Sequence, residues 1–263
     1  MASKKSFFNK DSVTGTMVFI MVLSLLCSFM ITGTAEVLKE RKLAKKRDEV
    51  KRYVLMAANV DFGQGDGFRE IFTSSVTPIL VDLNTGAIDT QSNVLDFDER
   101  MAAINPETSI KPKKDTAKIR TRANQVRVFK LHDTENKLQS LIVPIYGKGL
   151  WSMIYGYVAL KPDFNTIEGV VFYEHGETPG IGDFVNDPHW LDKWHGKQLF
   201  DAKGKVAIKI IKGGAPEGDV NGIDGVSGAT ATGRGVQRSF EFWFGDEGYQ
   251  TLFASLKAEV QGE

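Results

Sequence analysis

QVRVFKLHDTENKLQSLIVPIYGKGLWSMIYGYVALKPDFNTIEGVVFY, residues Gln125 to Tyr173, decides the architecture. Val126, Val128 and Leu131 partly alternate with polar residues, and three β-rich runs follow at Leu138–Tyr146, Ile154–Leu160 and Ile167–Tyr173. The breaks between them are short and carry mostly Gly, Asn or Asp, too short for a crossover helix, so the strands read as antiparallel hairpins. A further β-rich run is expected at Val206–Ile211. Gly235–Phe244 and Tyr249–Leu256 read as closing helices, with Val236, Phe240, Trp243 and Phe244 placed to cover a sheet.

Upstream of the sheet, Arg47–Val60 has helical spacing at Val50, Val54, Leu55 and Ala58, and Gly63, Gly65 and Gly67 break it. Phe68–Val76 reads as a short second helix. Ile79–Leu83 reads as a strand ended by the turn residues Asn84-Thr85-Gly86. Residues 105–119 are polar, contain Pro106 and Pro112, and read as a surface loop. The fold class expected is α+β, a mainly antiparallel sheet packed with helices behind an N-terminal transmembrane helix.

That membrane helix rests on Ser12–Ala35, 24 residues without a charge. As a helix the stretch is roughly 36 Å long at about 1.5 Å per residue, against about 30 Å of hydrocarbon. A cleaved signal peptide is the rival reading: Lys4, Lys5 and Lys10 form a basic start, and Gly33 and Ala35 are small residues at a cleavage position. Glu36–Arg52 continues the helical pattern without a breaker, which favours a retained helix. Three segments follow: a tail and transmembrane helix at 1–35, a basic helical stem at 36–60, and a soluble domain at 61–263.

With 33 basic and 33 acidic side chains in 263 residues the formal net charge is zero, so a nucleic-acid partner is not expected. The charge is unevenly placed: residues 1–52 carry a net +6 and the remainder −6. By charge count alone, the basic stem would lie on the cytoplasmic side. The single cysteine, Cys27, excludes an internal disulfide and any cysteine-only metal or cluster site. His132, His175, His189 and His195 show no ligand spacing, and no metal site is expected. No Gly-x-Ser-x-Gly elbow exists. Trp190 and Trp194, four apart beside Pro188, read as the packing face of a short helix.

Three stretches carry candidate chemistry. Asp224-Gly-Val-Ser-Gly-Ala-Thr-Ala-Thr-Gly-Arg-Gly leads into an apolar helix, where unpaired amides and the dipole would favour a phosphate. Gly228 and Ala229 would admit a ligand close to the backbone. The alternative is an ordinary glycine turn with Ser227 or Thr232 as helix cap. A Walker loop nearly fits, but Arg234-Gly235 stands where Lys-Ser or Lys-Thr is required, and no Rossmann fingerprint follows a strand. Glu174-His-Gly-Glu-Thr-Pro-Gly-Ile-Gly could hold the polar edge of a heterocycle through Glu177 and Thr178, or be a solvated loop. In Gly147-Lys-Gly-Leu-Trp151, the tryptophan could stack on a planar cofactor or belong to the core.

Asp224-Gly-Val-Ser-Gly-Ala-Thr230 resembles the flavinylation motif Asp-x-x-Ser/Thr-Gly-Ala-Thr/Ser. Together with VTPILVDLNTG (Val76–Gly86), GKGLWSMIYGY (Gly147–Tyr157), YEHGETPGIG (Tyr173–Gly182) and FEFWFGDEG (Phe240–Gly248), it makes the chain similar, over roughly its whole length, to the NqrC family of sodium-translocating NADH:quinone reductase subunits. The resemblance implies FMN joined through a phosphoester to Thr230 by a separate flavin transferase that reads Asp224. It implies cofactor contacts at Leu150, Trp151, Glu177, Thr178, Ser227, Gly228 and Ala229. It also implies an electron relay among the other subunits of a sodium-pumping complex, a single span in the bacterial inner membrane, and, against the charge count, a soluble domain in the periplasm. The RnfG family, from the related ion-translocating ferredoxin:NAD oxidoreductase, shares Ser-Gly-Ala-Thr and stays an alternative; the long Arg47–Gly86 region and His175-Gly-Glu favour the quinone reductase. A membrane-anchored, non-redox module binding an anion through the glycine-rich loop is the alternative of a different class.

Overall fold

The computed structural model describes residues 12–90 and 93–261, and the lysines at positions 4, 5 and 10 lie outside them. The chain divides into two units between Asp48 and Glu49.

A helix, α1 (Val13–Ala57), runs from the first unit into the second. Ser12 caps it, its hydroxyl accepting from the Gly15 amide at 3.0 Å. α1 is long and apolar enough to cross a membrane, and among the described residues its apolar stretch is exposed. Polar residues in this helix return their hydrogens to the preceding turn, Thr34 Oγ1 donating to the Met30 carbonyl at 2.6 Å. No break occurs between Ala35 and Arg52. The helix closes at Asn59, whose φ is +53°: its amide donates to the Met56 carbonyl, and that of Val60 to Leu55, the 5→2 and 6→1 pair of a Schellman cap.

In the second unit, α2 (Gly67–Ser75) leads into β1 (Val76–Asp82), which pairs with the short β2 (Ile88–Asp89). After α3 (Glu99–Ile104) come the short β3 (Ser109–Ile110) and β4 (Arg122–Ala123). The main run follows: β5 (Gln125–His132), β6 (Leu138–Lys148), β7 (Met153–Leu160) and β8 (Ile167–Glu174). These build one antiparallel sheet in the order β2-β1-β5-β6-β7-β8. The β6–β7 hairpin is in register from Leu141↔Leu160 to Lys148↔Met153, so its tip is Gly149–Ser152.

Both faces of the sheet are covered, which is why β6 reads as a continuous apolar run. On one face Val143, Ile145 and Val158 pack with Val236, Phe240 and Trp243 of α5 (Thr230–Trp243) and Leu252 of α6 (Gln250–Gln261). On the other, Ile142, Tyr157 and Val171 pack with Val54 and Leu55 of α1 and Phe68 and Phe72 of α2. Each such fully buried side chain contributes about 1.5–3 kcal/mol. Two polar tips in this layer are satisfied: Trp243 Nε1 donates to the Tyr146 carbonyl at 2.7 Å, and Tyr249 Oη to that of Pro144 at 2.5 Å; the buried Trp194 Nε1 has no partner among the described residues. Trp190, in α4 (Pro188–Leu191), and Trp194 are buried packing residues, as their spacing suggests.

Several boundaries differ from the sequence reading: β1 starts at Val76, three residues before Ile79, directly after α2 ends at Ser75, and α6 runs on to Gln261. Only Lys209–Ile211 of the run from Val206 is a strand, β9, because it pairs in parallel with the short β10 (Gly222–Asp224), while the Ala207 and Ile208 amides turn to the Leu199 carbonyl. The 105–119 loop contains β3, paired at Ile110↔Arg122. α5 begins at Thr230, five residues before Gly235.

Candidate functional site

The first turn of α5 is the centre of the site. Thr230 is its first residue and is exposed. Ala229 before it is buried and non-helical, and no side chain caps the helix. The opening amides of a helix lack intrahelical acceptors, so this end keeps donors and a positive dipole directed at whatever occupies the space before it. Gly228 has φ +84°, with nothing within 4 Å of where a Cβ would stand; a glycine meets the left-handed turn there and leaves the approach to Thr230 open. Ser227 and Gly228 are exposed. A cavity of about 400 Å³ flanks this turn, lined among others by Ile210, Lys212, Val226, Thr230, Arg234 and Arg238. Three cationic side chains and one carboxylate, Glu241, thus share the cavity with Thr230.

Neither Ser227 nor Thr232 is the helix cap that the sequence allowed. Thr232 is buried and donates its hydroxyl to Glu177 Oε2 at 2.6 Å. The same carboxylate accepts the amides of Leu150 at 3.1 Å, Trp151 at 3.0 Å and Ser152 at 3.2 Å. Four donors from two separate elements therefore converge on one buried carboxylate, filling both oxygens. Burial opposes its ionisation, but the Thr232 hydroxyl and the three amides prevail and hold Glu177 below the usual glutamate range. With every acceptor position taken, Glu177 acts as a brace between the β6–β7 tip and α5, and its polar edge is not turned outward.

The brace fixes the aromatic side of the site. Leu150 is 49% exposed and Trp151 65% exposed, so Trp151 is not a core residue. Its indole Nε1 donates to Thr178 Oγ1 at 3.0 Å, which sets the ring against the loop after β8. The Thr178 carbonyl in turn accepts the amides of Ile181, Gly182 and Asp183, and Ile181 is exposed beside it. Gly235 lets α5 meet the hairpin tip: a Cβ there would lie 2.6 Å from the Lys148 carbonyl oxygen.

Asp224 stands apart from this brace. Its carboxylate accepts Lys193 Nζ at 2.6 Å and the Ala215 amide at 2.7 Å, and its carbonyl accepts Trp190 Nε1 at 2.8 Å. Lys193 first, then the Ala215 amide, hold its carboxyl below the ordinary aspartate range. The structure thus links Thr230, through Thr232 and Glu177, with Leu150, Trp151 and Thr178, and gives Asp224 a separate loop-holding position. Sequence reasoning missed Thr232 as a partner of Glu177, and Lys212 and Arg238 as cavity cations. Residue spacing could place Arg238 on the Thr230 face of α5, two helical turns on, but gave no signal for the other two. No group of residues suited to a metal ion occurs among the described residues.

A two-faced antiparallel sheet closed by α5, with an exposed threonine at an uncapped helix start and an aromatic border, suits a nucleotide's phosphate and planar ring; residues 149–244 match the FMN-binding domain family, which makes this a flavin-nucleotide-binding domain. The chain is 40% identical over 253 residues to the C subunit of the Na(+)-translocating NADH-quinone reductase of Haemophilus ducreyi, covering 95% of this chain and 97% of that one. The corresponding protein of Vibrio alginolyticus is 40% identical over 251 residues, again covering 95% and 97%. The crystal structure of Shewanella oneidensis NqrC superposes with a TM-score of 0.80 at 71% identity, over 82% of this chain and 99% of that one. The crystal structure of the corresponding protein from Parabacteroides distasonis, at 24% identity and TM-score 0.62 over 81% and 94% of the two chains, shares the fold. This chain belongs to the NqrC family of Na+-translocating NADH-quinone reductase subunits. It is part of a multi-subunit oxidoreductase and carries an FMN-binding domain, and the N-terminal apolar helix α1 fits a single-pass membrane anchor.

Proposed function

We propose that Thr230 carries FMN through a phosphoester on Oγ1 and that the domain relays electrons between other subunits of the complex. The observation that carries this reading is the exposed Thr230 hydroxyl at the uncapped start of α5, beside a cavity holding Lys212, Arg234 and Arg238. A phosphate bonded there would meet the opening amides of α5 and its positive dipole end, beside the exposed Ser227-Gly228 turn, so the residues fit the group. Leu150, Trp151 and Thr178 border the isoalloxazine, and Glu177 positions that border.

FMN supplies one- and two-electron transfer, which needs an accessible ring edge and no general base. The protein's task is to retain and place the ring. The phosphoester prevents loss of the cofactor, Trp151 gives the ring a flat apolar neighbour, and the Glu177 brace holds Trp151 at a fixed position relative to α5.

Maturation requires a flavin transferase, with Asp224 and its ordered loop as part of what that enzyme reads. In this reading residues 1–35 are the tail and membrane span, 36–60 the stem, and 61–263 a periplasmic domain in the bacterial inner membrane. Chain coexpressed with the transferase and run on a denaturing gel should fluoresce yellow-green, and Thr230→Ala should not; equal fluorescence from both would refute the attachment. External protease should digest the domain in spheroplasts, and full protection would reverse the topology.

A further inference from the structure

A cationic strap crosses the second unit next to the β6–β7 tip and is used by nothing described above. Between Lys111 and Arg120 the chain carries five cations, Lys111, Lys113, Lys114, Lys118 and Arg120, and one carboxylate, Asp115. The body around it has the opposite sign, since residues 53–263 carry a net −6. None of the five side chains is in an ion pair among the described residues.

The strap is held in place along its length. Asp115 accepts the amides of Ile119 at 2.9 Å and Arg120 at 2.8 Å rather than pairing with a cation, and its single negative charge leaves the strap strongly positive. The Lys113 amide donates to Glu247 at 3.0 Å, and Ala117 is buried in the core. Lys118 and Arg120 sit at φ +56° and +70°; left-handed backbone is costly for such residues and persists only where the surroundings impose it. Both line a cleft of about 690 Å³, with Arg100, Lys148, Asp115, Ile104 and Tyr155. Arg100 is already neutralised by Glu174 at 2.7 Å and lies over the Tyr155 ring. Ile104 is 74% exposed. The cleft therefore offers a net positive lining, through Lys118, Arg120 and Lys148 against Asp115, with apolar surface beside it.

The strap is also coupled to the turn that borders the proposed flavin. The Ala117 carbonyl accepts the Lys148 amide at 2.8 Å, and Lys148 Nζ donates to the Trp151 carbonyl at 2.6 Å. We infer that this strap and cleft are the docking surface for an acidic, partly apolar segment of the neighbouring subunit that exchanges electrons with this one. A fixed cationic patch on an acidic body attracts and orients such a partner with Trp151 close to the contact. The inference rests on the electron-relay reading above.

The test uses the assembled complex carrying Lys118→Glu with Arg120→Glu, and Lys203→Glu with Lys205→Glu as a charge-matched control on a separate exposed turn. Flavin content of the denatured subunit, co-purification of the other subunits, and NADH:quinone turnover against ionic strength are measured in detergent and in phosphatidylglycerol vesicles. The strap variant should keep its flavin, lose roughly tenfold in low-salt turnover, show a flatter salt dependence, and behave alike in both media; the control should match the unmodified complex. Unchanged turnover and co-purification, or an equal loss in the control, would overturn the inference. A loss seen only in vesicles would assign the strap to lipid headgroups instead, which also overturns it. Absence of flavin from the denatured unmodified chain would mark failure of the relay reading itself.

Discussion

Glu177→Gln isolates the brace with the smallest change of shape. The carboxylate accepts four donors, the amides of Leu150, Trp151 and Ser152 and the hydroxyl of Thr232. A glutamine offers one acceptor oxygen and a donating NH₂. If the oxygen keeps Trp151 and Ser152, the NH₂ faces the Leu150 amide and Thr232. The hydroxyl rotates to accept, but the Leu150 amide is left opposed to a donor. One orphaned amide costs about 1–3 kcal/mol and each lost charge-assisted bond a comparable amount, partly overlapping. The expected loss is about 2–3 kcal/mol, a fall in Tm of about 4–12 °C for a domain of this size. The pH dependence supplies a second signature. Because the folded carboxyl titrates below its unfolded value, its stabilisation is present above the unfolded pKa, about 4.3, and is lost as pH falls through the folded value. The unmodified domain should lose stability across that acidic window more steeply than the variant. Calorimetry and circular dichroism at several pH values measure both effects. A variant within about 0.5 kcal/mol of the parent, with the same acid slope, would refute the brace.

Other perturbations separate fold from site. Gly228→Ala forces a side chain into left-handed backbone at φ +84° and should cost about 1–2 kcal/mol while lowering the fraction of chain that carries flavin, read by absorbance against protein mass. Trp151→Ala removes an exposed ring, so chemical denaturation should shift by less than about 0.5 kcal/mol, whereas the flavin's fluorescence should rise as its aromatic neighbour is lost. Glu99→Ala removes the partner of Arg127, whose Nε donates to Glu99 at 2.6 Å in a nearly buried pair; the uncompensated guanidinium should cost about 3–5 kcal/mol, visible as a large drop in the urea midpoint.

Much of the sheet could be read directly from the chain because β5–β8 are apolar runs cut by Gly, Asn and Asp, and that pattern survives tertiary packing. The start of α5 could not. Two threonines and two glycines between Thr230 and Gly235 are poor helix formers, and the helix extends through them because packing decides: Gly235 abuts the Lys148 carbonyl and Thr232 is held by Glu177. The β9 run failed for the opposite reason, since Val206–Ile208 has strand composition but makes only an isolated bridge, Val206 with Phe200, while the Ala207 and Ile208 amides go to the Leu199 carbonyl. At the site, residue spacing allowed an anion-favouring helix start but favoured an ordinary glycine turn; the attachment at Thr230 came from the resemblance. The Glu177 brace joins residues 25 to 55 positions apart, and no local pattern encodes a contact of that range.

Trypsin cuts after Lys212 and Arg234, releasing one peptide, Gly213–Arg234, that contains Ser227, Thr230 and Thr232 together. Mass spectrometry with fragmentation of that peptide, from chain isolated out of its native membrane, tests the covalent cofactor most directly. The account predicts a mass increased by FMN less one water, with the addition carried on Thr230; a bare peptide, or the addition on Ser227 or Thr232, would contradict it.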